Sequence, residues 1–359
     1  MLAKIAENRT DFGSRRNRIF RMNRINRIPV GKLPPEHLAR LLGQVPATDP
    51  RVVLAGGLGE DAAVIEMGDR YLVAKTDPVT FAIEKIGWYA VHVNANDVAV
   101  LGAAPRWFLA TLLLPDAETT APLVDEIFAD ILAACGELGV TLCGGHTEIT
   151  YGIERPVVVG QMLGEVSKPD LLRKDSLTPG DVILLTRGVA IEGTAVIARE
   201  KSAELSGKVS EGILKAARGF LFDPGISVVR AARIAAGTGM VKAMHDPTEG
   251  GVLAGLLELA CAARLGIRVF AEEVAVLPET RAICSVLGLN PLYLLASGAL
   301  LIGLPGERAD EVIETLKVQG IETKVVAEML PARQGRWVRQ RGQEEPLCFP
   351  ERDELAKLF

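Results

Sequence analysis

Four short segments constrain this chain most, because each joins glycine to carboxylates or small polar side chains. They read Gly59-Glu60-Asp61-Ala62-Ala63-Val64, Asn96-Asp97-Val98-Ala99-Val100-Leu101-Gly102-Ala103, Gly144-Gly145-His146-Thr147-Glu148 and Asp246-Pro247-Thr248-Glu249-Gly250-Gly251. Hard oxygen ligands and close backbone approach are what a metal ion and a phosphate chain require. At 359 residues the chain is too long for one core of ordinary size, so two domains are expected to carry these segments.

Composition narrows the partners. Aromatic residues are only 5%, which argues against a base-stacking surface or an aromatic carbohydrate groove. A net charge of -5 gives no basis for nucleic-acid binding. The five cysteines form no CxxC pair and no even disulfide framework, which points to a reducing, cytoplasmic setting. No uninterrupted apolar run approaches the ~20 residues of a membrane span, so no membrane partner is expected. Residues 1–29 hold Arg9, Arg15, Arg16, Arg18, Arg21, Arg24 and Arg27 without an amphipathic period. They read as a basic disordered tail, or as sequence upstream of a true start at Met22.

Folded sequence is expected from residue 30. Domains of 30–166 and 176–330 follow from a break at Ser167 to Asp181, where Lys, Asp, Pro and Gly mark a linker, with 331–359 as an extension. A hairpin is predicted from Asp61–Glu66 and Arg70–Thr76 around Met67-Gly68-Asp69. Helices are predicted over 84–101, 120–138, 194–205, 225–237 and 247–263, and an amphipathic helix over the last residues from Pro350. Val140–Cys143 and Pro156–Val166 read as strands flanking a Gly144-Gly145 loop.

Counting along the hairpin puts Asp61 and Asp77 at the same open end. Two carboxylates there repel unless a cation or proton intervenes, and magnesium takes such ligands together with substrate phosphates. Capping of solvated strand ends is the bland alternative. Asn94 with Asp97, and His92 with Asn96, share helical faces inside the apolar run Val91–Leu101. A charge buried there must be paired or coordinate metal.

The adjacent glycines 144 and 145 would let backbone N–H groups approach a phosphate, with Thr147 donating and His146 binding phosphate or moving a proton. A tight turn with a surface histidine explains them equally well. Asp246-Pro247-Thr248-Glu249 has the form of a capping box that opens a helix, and a helix start is also an anion site. Gly188 to Thr194 follows a strand but lacks the lysine of a P-loop. His37 and His245 have no partner at ligand spacing, and no zinc is expected.

Taken in order and spacing, the four segments resemble the AIR synthase (PurM-like) superfamily over about residues 30–330. Asp-Pro-Thr-Glu-Gly-Gly is most similar to its HypE-like branch. Ile86-Gly87-Trp88 and Val93 to Asp97 resemble thiamine-monophosphate kinase, and Gly-Gly-His-Thr resembles selenophosphate synthetase. The resemblance implies an α+β protein of two domains. Its N-terminal domain would pair its sheet with that of a second copy into a dimeric β-barrel, and an α/β domain would follow. It implies ATP and magnesium, with transfer of the γ-phosphate to a small-molecule or protein-bound acceptor. Asp61, Asp77 and Asp97 would hold metal; Asn96, Gly144, Gly145, Thr147, Thr248, Gly250 and Gly251 would bind the cofactor; His146 and Asp246 would orient the acceptor or move a proton. HypE-like members carry a carbamoyl group on a terminal cysteine, whereas here Phe349 to Phe359 follow the last cysteine, Cys348. A phosphoryl-transfer enzyme, with a partner in metalloenzyme (hydrogenase) maturation, is therefore the leading expectation. A small-molecule kinase and a non-catalytic ATP-binding accessory protein are the alternatives.

Overall fold

The computed structural model describes residue 28, residues 31–46 and residues 48–358. Apart from Ile28, the arginine-rich tail of 1–29 lies outside the described residues. Two mixed sheets organise the chain. The first holds β1 (Val52–Leu54), β2 (Ala63–Met67), β3 (Arg70–Val79), β4 (Ala104–Pro115), β5 (Thr141–Thr150) and β6 (Val157–Ser167), in the order β1-β2-β3-β6-β4-β5. Only β4 and β5 run parallel, joined over the crossover helix Ala121–Leu138. The second sheet has the order β13-β12-β9-β11-β7-β10-β8. Its strands are β7 (Asp181–Thr186), β8 (Ala243–His245), β9 (Gly266–Phe270), β10 (Leu301–Pro305), β11 (Thr323–Leu330), β12 (Arg336–Gln340) and β13 (Gln343–Pro346). No described helix is long and apolar enough to cross a membrane.

Alternation along β6 buries every second residue, as a sheet with one covered face requires. The cover is the helix Ile86–Ala99, in which every residue but Trp88 is buried. A helix apolar all round is stable only when enclosed. Glycine on the sheet makes the close approach possible: a Cβ on Gly160 would overlap the Asn94 amide, and one on Gly164 the Val98 side chain.

His92 lies in this helix, stacked against Trp88 at 4.5 Å between ring centroids. Both ring nitrogens lack a hydrogen-bond partner, and burial pushes the imidazole pKa down to about 4. A histidine with a depressed folded pKa contributes stability above its unfolded pKa near 6.5, and loses it as pH falls toward the folded value. The difference corresponds to roughly 3 kcal/mol between pH 7 and pH 4. Urea titrations of the parent and His92→Phe should therefore show the parent losing about that much more stability across this window. Parallel curves would mean that the ring is not buried neutral.

Three expectations change. The Ser167–Asp181 stretch is not a passive linker: it forms two short 3-10 turns, Lys168–Asp170 and Lys174–Ser176, and buries Lys174. The second sheet continues past residue 330, because β12 pairs in parallel with β9 and turns back into β13. Among the described residues from Pro350 on, only the 3-10 turn Leu355–Lys357 forms in place of the expected amphipathic helix, and Asp353 spends both carboxylate oxygens on backbone N–H groups. Its Oδ2 accepts from Gly250 at 2.6 Å, and its Oδ1 from Leu355 at 2.6 Å and Leu295 at 3.3 Å.

The halves are docked tightly. One continuous apolar cluster runs from Val64 and Val98 to Ile226 and Val228. Within it the Asn96 amide donates to the Ile226 carbonyl at 2.9 Å, and its oxygen accepts the Val228 N–H at 2.8 Å. Asn96, expected at the cofactor, is instead a buried tie between the halves with its hydrogen-bonding capacity largely used.

Candidate functional site

A cavity of about 750 Å³ opens between the halves. The hairpin β2–β3 delivers Asp61 from just before β2 and Asp77 from β3, and the helix Ile86–Ala99 delivers Asp97. From the other half, the end of β8 brings His245 and Asp246, and the helix Gly251–Ala262 brings Glu258. Phe349 to Asp353 close one side. Four of the carboxylates expected from sequence thus face one space.

Three lysines and a histidine, none of them expected, organise these acids. Lys174 Nζ lies 2.6 Å from Asp61 Oδ2 and also donates to the Gly59 carbonyl. His245 Nδ1 is 2.7 Å from Asp61 Oδ1, and its Nε2 is 3.1 Å from Glu258 Oε2. Lys32 Nζ reaches Glu258 at 3.4 Å and Thr248 Oγ1 at 3.3 Å. Lys75 Nζ lies 3.0 Å from Asp97 and 3.6 Å from Asp77. His245, which has no partner along the sequence, acquires two through the fold.

The charges sort the acids. Burial alone would raise Asp61, but His245 and Lys174 outweigh it and hold its carboxyl well below the usual range. Burial likewise opposes Lys32 and His245 at Glu258, and the pair hold it down at about 2. Burial pushes Asp97 up to about 6, with Lys75 opposing and Asp61 and Asp77 reinforcing the rise. Asp246 stands apart. It is 1% exposed, neither oxygen has a protein hydrogen-bond donor, and burial followed by the charges of Asp97 and Asp61 drives it well above an ordinary carboxylate. Either a proton or a hard divalent cation would relieve such a carboxylate, and Asp97 and Asp77, which line the same cavity, are already paired with Lys75. Ligand atoms of Asp61, His245 and Asp246 lie within 4.8 Å of one another, although Lys174 already neutralises Asp61.

The other expected residues divide. Thr248 and Gly250 line the cavity; Gly251 does not, and packs against the backbone of Leu292 and Tyr293. The capping-box reading of Asp246 fails: the helix starts at Gly251 after Gly250 at φ 85°, and the Gly250 N–H is taken by Asp353. That frees Asp246 to enter the cavity.

Gly144, Gly145, His146 and Thr147 form no loop. They continue β5, the exposed edge of the first sheet, and do not line this cavity. Gly145 sits so close to β4 that a Cβ would overlap the Ala110 carbonyl, which is why glycine stands in a strand. His146 is exposed and lies 3.5 Å from Glu148.

Models of the AIR synthase related protein family match their N-terminal domain to residues 59–166 and their C-terminal domain to residues 178–338. Carbamoyl dehydratase HypE of Rhizobium leguminosarum bv. viciae is 31% identical over 267 residues, covering 72% of this chain and 73% of that protein. The crystal structure of hydrogenase maturation protein HypE in complex with ATP superimposes with a TM-score of 0.64 at 22% identity, covering 91% of this chain and 98% of that one. AaThiL complexed with AMPPCP and TMP gives a TM-score of 0.67 at 18% identity, covering 89% and 94%. The two matched domains and the bacterial relative show that the chain belongs to the AIR synthase related family, in its HypE-like branch.

Proposed function

We propose that the chain binds ATP with magnesium in the 750 Å³ cavity and transfers the γ-phosphate to an acceptor, in a metalloenzyme-maturation role like that of its HypE relatives. The observation that carries this reading is Asp246, a buried carboxylate without a donor, beside Asp97 in a cavity that also holds Lys32 and Lys75. Asp77, Asp97 and Asp246 would hold magnesium, which when bound would neutralise phosphate charge. Lys32 and Lys75 supply positive charge for the remaining phosphate oxygens, and Thr248 a hydroxyl. Such chemistry is mostly positioning and electrostatics. Lys174 and His245 hold Asp61 ionised and fixed, so that the cavity floor keeps its charge pattern.

We also infer a homodimer formed along β5. What supports it is an edge strand exposed along most of its length, followed by Tyr151 at 86% exposure. A second copy there is the route by which His146 and Thr147 would approach a nucleotide. A small-molecule kinase is the second reading, favoured by the additional cavity described below.

Calorimetric titration tests the first reading. The parent should bind ATP only with magnesium present, and Asp97→Asn should weaken that binding at least 10-fold and abolish turnover. Parent-like binding and turnover by Asp97→Asn would remove the metal assignment.

A further inference from the structure

A second cavity, of about 560 Å³, adjoins the first and shares Lys32, Asp77, Thr248 and Glu249 with it. Beyond that shared wall it is largely apolar, with Val79, Phe81, Val93, Val196 and Leu295 among its lining. Beside Thr80, Arg155 and Ser297, that lining also holds a buried acid, Glu192, in the first turn of the helix Ile191–Glu200. Its side chain does not cap the helix. The helix start is held by backbone bonds instead, from the Glu192 N–H to the Ser297 carbonyl at 3.2 Å and from the Gly193 N–H to the Leu295 carbonyl at 3.0 Å. Glu192 is 6% exposed, and its Oε2 has no hydrogen-bond partner. Ser297 is the side chain that offers this carboxyl a hydrogen bond, no lysine or arginine pairs with it among the described ion pairs, and a buried acid so poorly compensated costs stability.

We propose that this second cavity receives the phosphoryl acceptor and that Glu192 takes the proton the acceptor must lose. The inference rests on the first cavity holding ATP. The shared wall then lies at the seam between the phosphates and the acceptor. The lining suits a compact, uncharged, mostly apolar acceptor with one O–H or N–H to lose. Lys32 and Arg155 stand there against Asp77, Glu249 and Glu192, so no excess of positive charge calls for an anionic ligand. In the step itself the acceptor oxygen forms a bond to the γ-phosphorus. The bond from that phosphorus to the bridging oxygen breaks, and ADP leaves with the electron pair. The acceptor proton passes to the Glu192 carboxylate and from there to water. Burial pushes Glu192 up to about 7, with Ser297 opposing and the charges of Asp353, Glu249 and Asp77 reinforcing the rise, which suits a group that accepts and then releases a proton.

Ligand-observed NMR on the full chain, loaded with magnesium and a non-hydrolysable ATP analogue, tests this with isobutyramide and isobutanol as probes. At least one should bind. Val196→Trp, which fills the cavity, should weaken that binding at least 10-fold, and the isosteric Glu192→Gln should leave the fold intact. Both variants should keep nucleotide affinity within about 3-fold. In turnover with water as acceptor, Glu192→Gln should lose at least 10-fold at pH 8 and lose the rise in rate near pH 7. Absence of probe binding, or probe binding that Val196→Trp leaves unchanged, overturns the acceptor site. A parent-like pH profile in Glu192→Gln overturns the role of the carboxyl. A parent chain that binds no nucleotide instead overturns the first cavity's reading, and this inference with it.

Discussion

Asp246→Asn should lower magnesium-dependent ATP turnover by about 100-fold or more while making the nucleotide-free protein more stable. The two effects share one cause. Asp246 is buried beside Asp97 and Asp61 with no donor on either oxygen, so in the free protein its charge is a liability that a proton or a cation must relieve. Asparagine keeps the shape and removes the charge, which should relieve about 1–3 kcal/mol. The sign with pH follows from the raised carboxyl. Such a group contributes stability fully below its unfolded pKa near 4 and loses it as pH rises, so the variant's advantage should grow from pH 4 to pH 7. Adding magnesium and ATP should then reverse the order, because the parent gains ligand stabilisation that the variant cannot. Thermal denaturation with and without ligand measures both halves. A variant less stable than the free parent would mean that Asp246 has a structural partner after all.

Lys174→Met should be the most damaging single change to the fold near the site. Lys174 is buried and donates to Asp61 and to the Gly59 carbonyl, and its removal leaves Asp61 with only His245 to offset its charge. Breaking a buried pair from one side costs about 3–5 kcal/mol, because the remaining charge stays buried. A urea midpoint shift of that size is expected. Lys174→Met with Asp61→Asn should recover part of the loss, which a role for Lys174 in packing alone would not allow. An unchanged midpoint in the single variant would mean that the pair does not form in solution.

These two residues also mark what the sequence could and could not reveal. Asp61, Asp97 and Asp246 were legible because acids in glycine-containing segments, or inside apolar runs, break the local pattern, and Asp77 because counting along the hairpin puts it at the same end as Asp61. Lys174 was not, because it lies in a Lys-, Asp- and Pro-containing stretch whose composition reads as a linker, and only the fold reveals that the stretch crosses a buried acid. His245 sat one residue from a recognised segment, yet its partners Asp61 and Glu258 are defined by strand and helix placement rather than spacing. Gly144-Gly145 and Asp246–Glu249 were misread for the opposite reason. Their local chemistry favours a turn and a helix cap, and tertiary contacts with Ala110 and Asp353 override both. The hairpin and the long helices needed no such contacts, whereas the two-domain α+β architecture was an expectation of the family resemblance and the strand orders come from the fold alone.

The Asn96 tie has a consequence for how the molecule can be taken apart. Asp61, Asp77 and Asp97 belong to one half, and His245, Asp246 and Glu258 to the other. The amide that bonds Ile226 and Val228 sits in the apolar cluster joining them, one residue from Asp97. The cleft is therefore a fixed gauge rather than a hinged jaw: its width is set when the halves dock. Each half cut free and refolded alone would carry a row of acids and no site.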